Sequence, residues 1–347
     1  MTGHPTHQQP SLHSVIRALG LTTLVACGVL LLAERAACLC LQFVRFPNSY
    51  TDARNTRGDL NWVEYTRPRP KRPNERRIIL ISNSQGYGRE MLDTSLIYPK
   101  QLERLLNARD PRHTYTVANW SMDGGGGPEM VVLTARAVQH HPDAILLIAY
   151  SENFTDKRSR RPLSYAKSEV QSLAYVGEVR RRLSPWFVET FQVTRPIGWL
   201  SARSGLIRCR ESFIEPGRPI QFGKAHFGKV RKLRSWKGRG TELLEEAYRA
   251  ASQAKGARFV IVGMPLNEQG FSASTMPRAQ GYIDAARTVL ASKPGTAVLD
   301  ATHLFPPEQF LTPDHFTANG HRAFAEWLAD QLNQPQLAMM SGGVDGI

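Results

Sequence analysis

Two residues of the chain have the types and surroundings of a nucleophile and its base. Ser84 follows closely on an apolar run at residues 78–81 (IILI), and His315 stands late in the chain, just before an amphipathic run. A serine hydroxyl becomes an effective nucleophile when a histidine accepts its proton. The two residues therefore predict a proton transfer from Ser84 to His315, provided that the fold brings them together.

Two further loops carry residues that suit the same site. Gly124 begins a run of four glycines after the apolar stretch 114–118, and Asn153 follows the apolar stretch 144–149. In an open parallel sheet, sites form at the carboxyl ends of the strands. We therefore expect Gly124 and Asn153 to converge with the serine and the histidine.

These four residues, in this order, resemble the four separated blocks of the SGNH, or GDSL-type, hydrolase superfamily. Ser84 holds the serine position of the family's Gly-Asp-Ser block, which here is Ser-Asn-Ser. Gly124 ends a stretch similar to the second block (NWSMDG), and Asn153 ends one similar to Gly-x-Asn (SEN). His315, with Gly320 five residues on, matches the last block best.

The resemblance covers residues 76–332 outside an insertion, and it implies a role for each residue in cleaving an ester. Ser84 Oγ attacks the carbonyl, and His315 takes its proton and returns it to the leaving alcohol. The backbone N–H groups of Ser84 and Gly124 and the side-chain amide of Asn153 hold the oxyanion. Singly, each of these residues is more typical of a helix cap or a turn than of a catalytic group. Together, the four favour function.

The acid that should orient the histidine is the chief departure from the family pattern. The family has an aspartate three residues before its histidine, and Thr312 stands there in this chain. We take Asp314 as the orienter, with Asp300 or an unassisted Ser–His dyad as the alternatives. A literal Asp-x-x-His runs from Asp300 to His303, but no glycine and helix follow it, so His315 is preferred as the base.

Other chemistries are disfavoured by the spacing of the relevant residues. The glycine run lacks the Gly-Lys-Ser/Thr of a phosphate-binding loop. The four cysteines, at positions 27, 38, 40 and 209, do not have zinc-site spacing. We find no zinc-finger, RNA-binding or basic-helix pattern either. We therefore expect no cofactor, no metal and no nucleic-acid partner.

Apolar runs alternate with helix-like segments along most of the chain. Strands are predicted at residues 78–81, 114–118, 144–149, 258–263 and 297–299, and helices at 91–106, 128–139, 241–254, 278–291 and 318–332. Short runs that are apolar on both faces suit parallel strands covered on both sides. The alternation predicts a three-layer α/β/α sandwich around a flavodoxin-like, parallel five-stranded sheet.

The N-terminal segment, residues 1–45, is predicted to contain a transmembrane helix. Residues 18–33 carry no charge, and an extension from Val15 approaches the ~20 residues that span a bilayer. We interpret the segment as an uncleaved signal anchor. A cleaved signal peptide is the less favoured interpretation, because no well-placed Ala-x-Ala site follows the apolar run. Leu-Val-Ala-Cys, ending at Cys27, resembles a lipobox, but the chain stays apolar after it.

Three more segments follow the anchor. Residues 46–75 are predicted to form a basic, proline-rich linker, residues 76–335 the hydrolase-like domain, and residues 336–347 a disordered tail. The domain carries an insertion at about 157–240. Because the insertion is rich in basic and aromatic residues, it suits either a sugar-polymer contact or ordinary packing of a cap.

Charge bears on location and partners. The net charge of +14 over 347 residues favours anionic surroundings. The basic residues after the anchor would keep the domain in the cytoplasm, although long domains translocate largely regardless of charge. We expect an extracytoplasmic domain that acts on O-acyl groups of a cell-envelope polysaccharide, by hydrolysis or transfer. The alternative is a non-catalytic envelope component that kept the fold.

Overall fold

The computed structural model of the chain describes residues 12–43, 70–88, 90–91, 93–122, 124–155, 177–191, 193, 230–233 and 239–334. Most of the predicted linker, most of the predicted insertion and the whole predicted tail lie outside these ranges, so the domain boundaries stay predictions. The N-terminal helix and the sheet domain belong to separate compact units, and each is described by itself.

A parallel sheet of five strands forms the centre of the larger unit. The strands are β1 (Glu75–Ile81), β2 (Thr114–Asn119), β3 (Ala144–Ala149), β4 (Arg258–Gly263) and β5 (Thr296–Asp300). Their order across the sheet is β2-β1-β3-β4-β5, and all four neighbouring pairs are parallel. This order has the single reversal of the flavodoxin-like arrangement. The predicted fold class is confirmed.

Helices cover both faces of this sheet. Within the described residues, the N-terminal unit contains the α-helix α1 (Leu12–Phe43). The α-helices of the larger unit, in chain order, are α2 (Ser84–Tyr87), α3 (Tyr98–Arg109), α4 (Gly127–Ala137), α5 (Ser151–Thr155), α6 (Gly177–Arg182), α7 (Pro185–Thr190), α8 (Gly240–Ala251), α9 (Pro277–Leu290) and α10 (Ala318–Leu332). The predicted helix at 91–106 begins later, at Tyr98. Pro99 occupies its first turn, where a missing N–H costs nothing.

Alternate residues of the central strands face two separate cores. Ile145 and Leu147 of β3 pack with the side chains of α4, α8 and α9. Leu146 and Ile148 pack with those of α3 and α10 on the other face. All six residues of β3 are buried, as expected for a central parallel strand. Because both faces are covered, only the two edges formed by the strand ends are left to carry a site.

The last crossover fixes the position of His315. Two short antiparallel strands, β6 (Phe310–Thr312) and β7 (His315–Phe316), precede α10. Thr317 caps α10, because its hydroxyl accepts the Gly320 N–H at 3.1 Å. A side chain at Gly320 would collide with the Gln309 carbonyl oxygen. The glycine that follows the histidine is thus required for α10 to pack closely against the loop before β6.

The N-terminal unit contains the long helix α1. Within it, Val15–Ala37 covers 23 residues with a mean hydropathy of 2.2 and is exposed. At 1.5 Å per residue this segment is about 34 Å long, enough to cross a hydrocarbon layer of about 30 Å. The hydroxyls of Thr22 and Thr23 donate to carbonyls one turn back, at 2.8 Å each, which satisfies them within the helix. Length and composition therefore suit a membrane anchor or a signal sequence.

A second histidine, His321, is part of the packing of the sheet domain. It is 1% exposed, and its ring lies between those of Tyr98 and Phe316. Its Nδ1 accepts the Tyr98 backbone N–H at 3.3 Å, so the neutral ring is the form that fits. Burial, together with the neighbouring His315, lowers the pKa of His321 to about 3. His321 therefore stays uncharged in the folded protein.

We predict that His321 makes the domain less stable in mild acid. The unfolded chain binds a proton at His321 below about pH 6.5, whereas the folded chain does not until about pH 3. Between these values the unfolded state binds more protons, so the free energy of unfolding falls with decreasing pH by up to about 1.4 kcal/mol per unit. The measurement is the free energy of unfolding in urea, for the full chain in mild detergent from pH 7 to pH 4. Wild type and His321→Gln are compared.

The wild type should be the more stable protein at pH 7, and its advantage over His321→Gln should shrink as the pH falls. The variant keeps a side-chain oxygen that can accept the Tyr98 N–H but has no group that titrates in this range. A constant difference between the two proteins over the whole pH range would show that His321 does not carry this dependence.

Candidate active site

The candidate nucleophile lies on a sharp turn at the carboxyl end of β1. Ser84 is the first residue of the short helix α2 and is half-buried. Asn83, not Ser84, caps this helix, because its side-chain oxygen accepts the Gln85 N–H at 3.0 Å. A side chain at Gly86 would collide with Ser121 Oγ, so the turn can be this tight only with glycine there. The capping role is thus filled without the Ser84 hydroxyl.

His315 faces this hydroxyl directly. Its Nε2 lies 2.7 Å from Ser84 Oγ, a hydrogen-bond distance, although 231 positions separate the two residues. The ring is 12% exposed. Its other nitrogen, Nδ1, points toward oxygen atoms of three residues. This is the geometry that a serine nucleophile and its general base require.

The nearest carboxylate to His315 comes from Glu90, which the sequence analysis missed. Oε1 of Glu90 lies 3.1 Å from Nδ1, and its side chain is 15% exposed. Gly88, with φ of +68°, turns the chain back after α2, and the Met91 N–H closes this turn on the Gly88 carbonyl. Glu90 thereby returns toward a serine only six positions earlier. No family block includes this position, so no pattern in the sequence pointed to it.

Thr312, at the position where the family has its acid, also contacts the ring. Its Oγ1 lies 2.8 Å from His315 Nδ1. The same hydroxyl can donate to Asp314 Oδ1 at 3.4 Å while it accepts the N–H of the ring. Thr312 therefore keeps the position of the orienting group and replaces its charge with a hydroxyl.

Asp314, the predicted orienter, is farther from the ring and has other partners. Its Oδ1 is 3.8 Å from Nδ1, whereas its Oδ2 lies 2.7 Å from Nη1 of Arg231 and accepts the Tyr150 hydroxyl at 3.3 Å. Burial alone would raise the pKa of the Asp314 carboxyl, but the charges of His315 and Arg231 hold it below its usual value. By distance and by pairing, the contacts favour Glu90 over Asp314 as the group that holds the imidazole.

Arg231 belongs to the predicted insertion and reaches the edge of the site. Besides Asp314, it contacts Glu152 at 3.0 Å and the Tyr150 hydroxyl at 3.1 Å, and its guanidinium lies over the Phe271 ring. Burial alone would lower its pKa, but the surrounding negative charges raise it above the usual value. The arginine remains charged and balances carboxylates that would otherwise repel one another.

Asn153 connects the loops that follow the first three strands. Its Oδ1 accepts the Tyr150 N–H at 3.1 Å and the Asn83 amide at 3.3 Å. Its Nδ2 donates to the Gly125 carbonyl at 2.9 Å. Nδ2 has a second hydrogen, and the predicted oxyanion contact depends on it. The side chain is placed to hold the nucleophile turn and the glycine loop in register.

Gly124 lies in that glycine loop, beyond the end of β2. Its φ of +70° is a conformation in which glycine is favoured, and it is half-buried. The loop is fixed to the nucleophile turn, because the Met122 N–H donates to the Ser82 carbonyl at 2.9 Å. The structure thus places Gly124 in a loop that is hydrogen-bonded to the residues just before Ser84, and its role as an oxyanion donor stays a prediction.

The alternative pair Asp300 and His303 makes its contacts elsewhere. Nδ1 of His303 lies 2.7 Å from Glu268, and the ring is 42% exposed. Asp300 Oδ1 accepts the Thr302 N–H at 3.1 Å. Because the two residues have separate partners, the Asp-x-x-His match was a coincidence of sequence. Within the described part of the chain, no group of three or more His, Cys, Asp or Glu side chains is placed to hold a metal ion.

Comparison with known proteins gave matches among solved structures alone. No protein-family model and no curated protein sequence matches the chain. The chain is similar to an alpha/beta hydrolase enzyme from the metagenome of Lake Arreo, Spain, with 15% identity and a TM-score of 0.38, over 75% of this chain and 97% of that one.

Two bacterial structures are similar to the same extent. A proposed arylesterase from Agrobacterium tumefaciens has 11% identity and a TM-score of 0.36, over 74% of this chain and 98% of that one. A carbohydrate acetylesterase family member from Sinorhizobium meliloti has 13% identity and a TM-score of 0.34, over 77% of this chain and 99% of that one. At identities this low, the chemistry of the site has to follow from its own contacts.

We predict that Glu90, more than Asp314, sets the reactivity of Ser84. Glu90→Gln keeps the size of the side chain and removes the charge beside Nδ1. The rate at which a fluorophosphonate labels Ser84 should fall by about 10- to 1,000-fold, since Thr312 still contacts the ring. The midpoint of its pH dependence should move to lower pH, because the protonated imidazole loses a nearby negative charge.

Asp314→Asn is the matched control for this change. Since Arg231 already balances the Asp314 charge, its removal should shift the midpoint of the labelling rate less than Glu90→Gln does. Its main effect should be a lower unfolding temperature, because Arg231 loses a buried partner. A larger rate loss and pH shift in Asp314→Asn than in Glu90→Gln would return the orienting role to Asp314.

Proposed function

We propose that the protein is a serine-dependent ester hydrolase or acyltransferase of the SGNH type, with Ser84 as its nucleophile. The observation that carries this proposal is the 2.7 Å contact between Ser84 Oγ and His315 Nε2. Both side chains lie at the carboxyl edge of the parallel sheet, where the loops after β1, β2 and β3 are tied together by Asn153. This edge is where open α/β sheets place their ligands.

The first half of the reaction forms an acyl-enzyme. His315 Nε2 takes the hydroxyl proton as Ser84 Oγ attacks the ester carbonyl. On the opposite side of the ring, Thr312 accepts the N–H of Nδ1, and the Glu90 carboxylate lies 3.1 Å from the same nitrogen. The developing oxyanion is held by backbone N–H groups of Ser84 and Gly124 and by the amide of Asn153. One such donor is worth about 3–4 kcal/mol of transition-state stabilisation. This half ends when the imidazolium of His315 gives its proton to the leaving alcohol and the tetrahedral intermediate collapses to the acyl-enzyme.

The second half of the reaction releases the acyl group. A water molecule or a second alcohol gives a proton to His315 and attacks the carbonyl carbon of the acylated Ser84. The second tetrahedral intermediate collapses as His315 returns that proton to Ser84 Oγ, which breaks the bond between Oγ and the acyl group. Water gives hydrolysis and an alcohol gives transfer, so both outcomes use the same residues.

The substrate and location are proposed from the chain outside the site. The exposed apolar helix α1 fits an uncleaved anchor, and the net charge of +14 fits an anionic envelope polymer. We place the globular domain outside the cytoplasm and assign O-acyl groups of a cell-envelope polysaccharide as its substrate class. In this proposal the anchor keeps the enzyme close to the layer that contains the polymer.

We predict that Ser84→Ala lowers hydrolysis of a short-chain aryl ester by the full chain in detergent by at least about 1,000-fold. His315→Gln should have a similar effect, because the two residues act as one unit. His303→Gln is the matched control, since His303 also contacts a carboxylate at 2.7 Å but lies outside the site. It should keep wild-type activity.

The same variants test the non-catalytic alternative. A fluorophosphonate probe should label the wild type and His303→Gln and should not label Ser84→Ala. Equal ester hydrolysis by wild type and Ser84→Ala, or an unlabelled Ser84 in a folded wild-type protein, would contradict the proposal and favour a component that kept the fold without the chemistry.

We predict that a reporter that works only outside the cytoplasm gives a signal when it is fused after Leu332. A second reporter that works only in the cytoplasm is fused at the same position, so that either location of the domain gives a positive signal from one of the two fusions. With the domain outside, the wild type should release acyl groups from an O-acylated polysaccharide and Ser84→Ala should not. A cytoplasmic reporter signal would exclude an envelope polymer as the substrate and leave the ester chemistry of Ser84 untouched.

A further inference from the structure

A wide groove lies at the edge of the sheet opposite the candidate active site. It has a volume of about 1420 Å³ and is lined by residues at the amino ends of the strands, including Arg76 of β1, Tyr115 of β2, Ala144 of β3 and Arg258 of β4. Because all five strands are parallel, this edge is separated from Ser84 by the length of the strands. The groove therefore belongs to none of the chemistry described above.

The charge in this groove is strongly unbalanced. Seven lysine and arginine side chains line it, against three carboxylates, and two histidines can add further positive charge. Arg112 at the rim has a side chain that is 84% exposed, and Lys255 is exposed as well. A concave surface with this surplus concentrates anions, because its low-dielectric walls focus the field.

The carboxylates present are shared between several cations. Asp143 contacts Nζ of Lys71 at 2.7 Å and Nη1 of Arg76 at 3.3 Å. Asp110 contacts Arg112 at 3.1 Å and His113 at 2.7 Å. Asp143 and Asp110 thus each face two basic groups, and the groove keeps a net positive charge. Phosphate groups are suited to such a surface, since lysine and arginine bind them strongly.

The position of this groove along the chain suggests the source of the phosphate. Residues 70–74 lead directly into β1, and Lys71 among them lines the groove. The candidate membrane-spanning segment Val15–Ala37 precedes it in the same chain. Basic groups that follow a membrane-spanning helix bind anionic headgroups, and the attachment of the chain raises their local concentration.

We propose that this groove binds the phosphate headgroups of anionic phospholipids, so that the amino edge of the sheet rests on the membrane surface. The consequence follows from the parallel sheet. If the amino edge contacts the headgroups, the carboxyl edge with Ser84 and His315 faces away from the bilayer. The catalytic site would then open toward a polymer beyond the membrane rather than toward lipid.

The test uses the full chain in nanodiscs of phosphatidylcholine alone or with phosphatidylglycerol. Amide hydrogen exchange is measured in two loops at the groove, residues 110–113 and 253–257. We expect exchange to be several-fold slower with phosphatidylglycerol, and this protection should disappear at high salt. The double variant Arg112→Gln and Lys255→Gln should lose the protection, whereas Ser84→Ala should keep it.

The matched control removes the same charge elsewhere. Arg287 and Arg322 are 53% and 71% exposed and contact carboxylates of their own helices. Arg287→Gln with Arg322→Gln should keep the lipid-dependent protection. Circular dichroism shows that each variant is folded, so a loss of protection reports on the groove.

Three results would overturn the proposal. Equal amide exchange in both kinds of nanodisc would exclude binding of anionic lipid by the groove. Protection by free glycerophosphoglycerol in phosphatidylcholine discs would show that the groove binds phosphate but does not need a bilayer to supply it. Protection by a soluble acidic polysaccharide, without any by phosphatidylglycerol, would assign the groove to a polymer. None of these results depends on whether Ser84 cleaves an ester.

Discussion

The constraint on which the rest of the structure depends is the burial of the central strands on both faces. β3 has no exposed residue, and its neighbours β1 and β4 are nearly as deeply covered. Strands of this kind need helices on both sides, so each connection must cross from the end of one strand to the start of the next. Every carboxyl end therefore lies at one edge, where Ser84 and His315 meet although 231 positions separate them.

The same constraint explains which parts of the site the sequence could reveal. Ser84, Gly124 and Asn153 each follow an apolar run, and the run predicts both the strand and the edge at which the next loop lies. Glu90 follows the turn at Gly88, whose backbone conformation decides where the carboxylate points. A sequence pattern records the order of elements, but it does not record the direction of a side chain after a reversal. The strands were thus predictable and the nearest acid was not.

Asp314 shows a second limit of reading the sequence. Its neighbour along the chain is His315, yet the carboxylate turns toward Arg231, which comes from a segment about 80 positions away. Asp314 lies in the turn between β6 and β7, whereas His315 begins β7, so closeness in sequence does not bring the two side chains within hydrogen-bond distance. Thr312, three positions before His315 and its pairing partner in the neighbouring strand, contacts the ring instead. The residue three positions before the histidine contacts the imidazole, and in this chain it carries a hydroxyl rather than a carboxylate.

Charge is distributed in opposite ways at the two edges of the sheet. Among the described residues near His315, the carboxylates of Glu90, Asp314 and Glu152 face one arginine, Arg231, so these groups are together net negative when the imidazole is neutral. Such surroundings stabilise the imidazolium that forms when Ser84 loses its proton. At the amino edge, basic side chains outnumber acidic ones by more than two to one. A surplus of basic side chains beside His315 would oppose protonation of its imidazole. A chain with a net charge of +14 therefore keeps an effective base by placing its positive charge away from the carboxyl edge of the sheet.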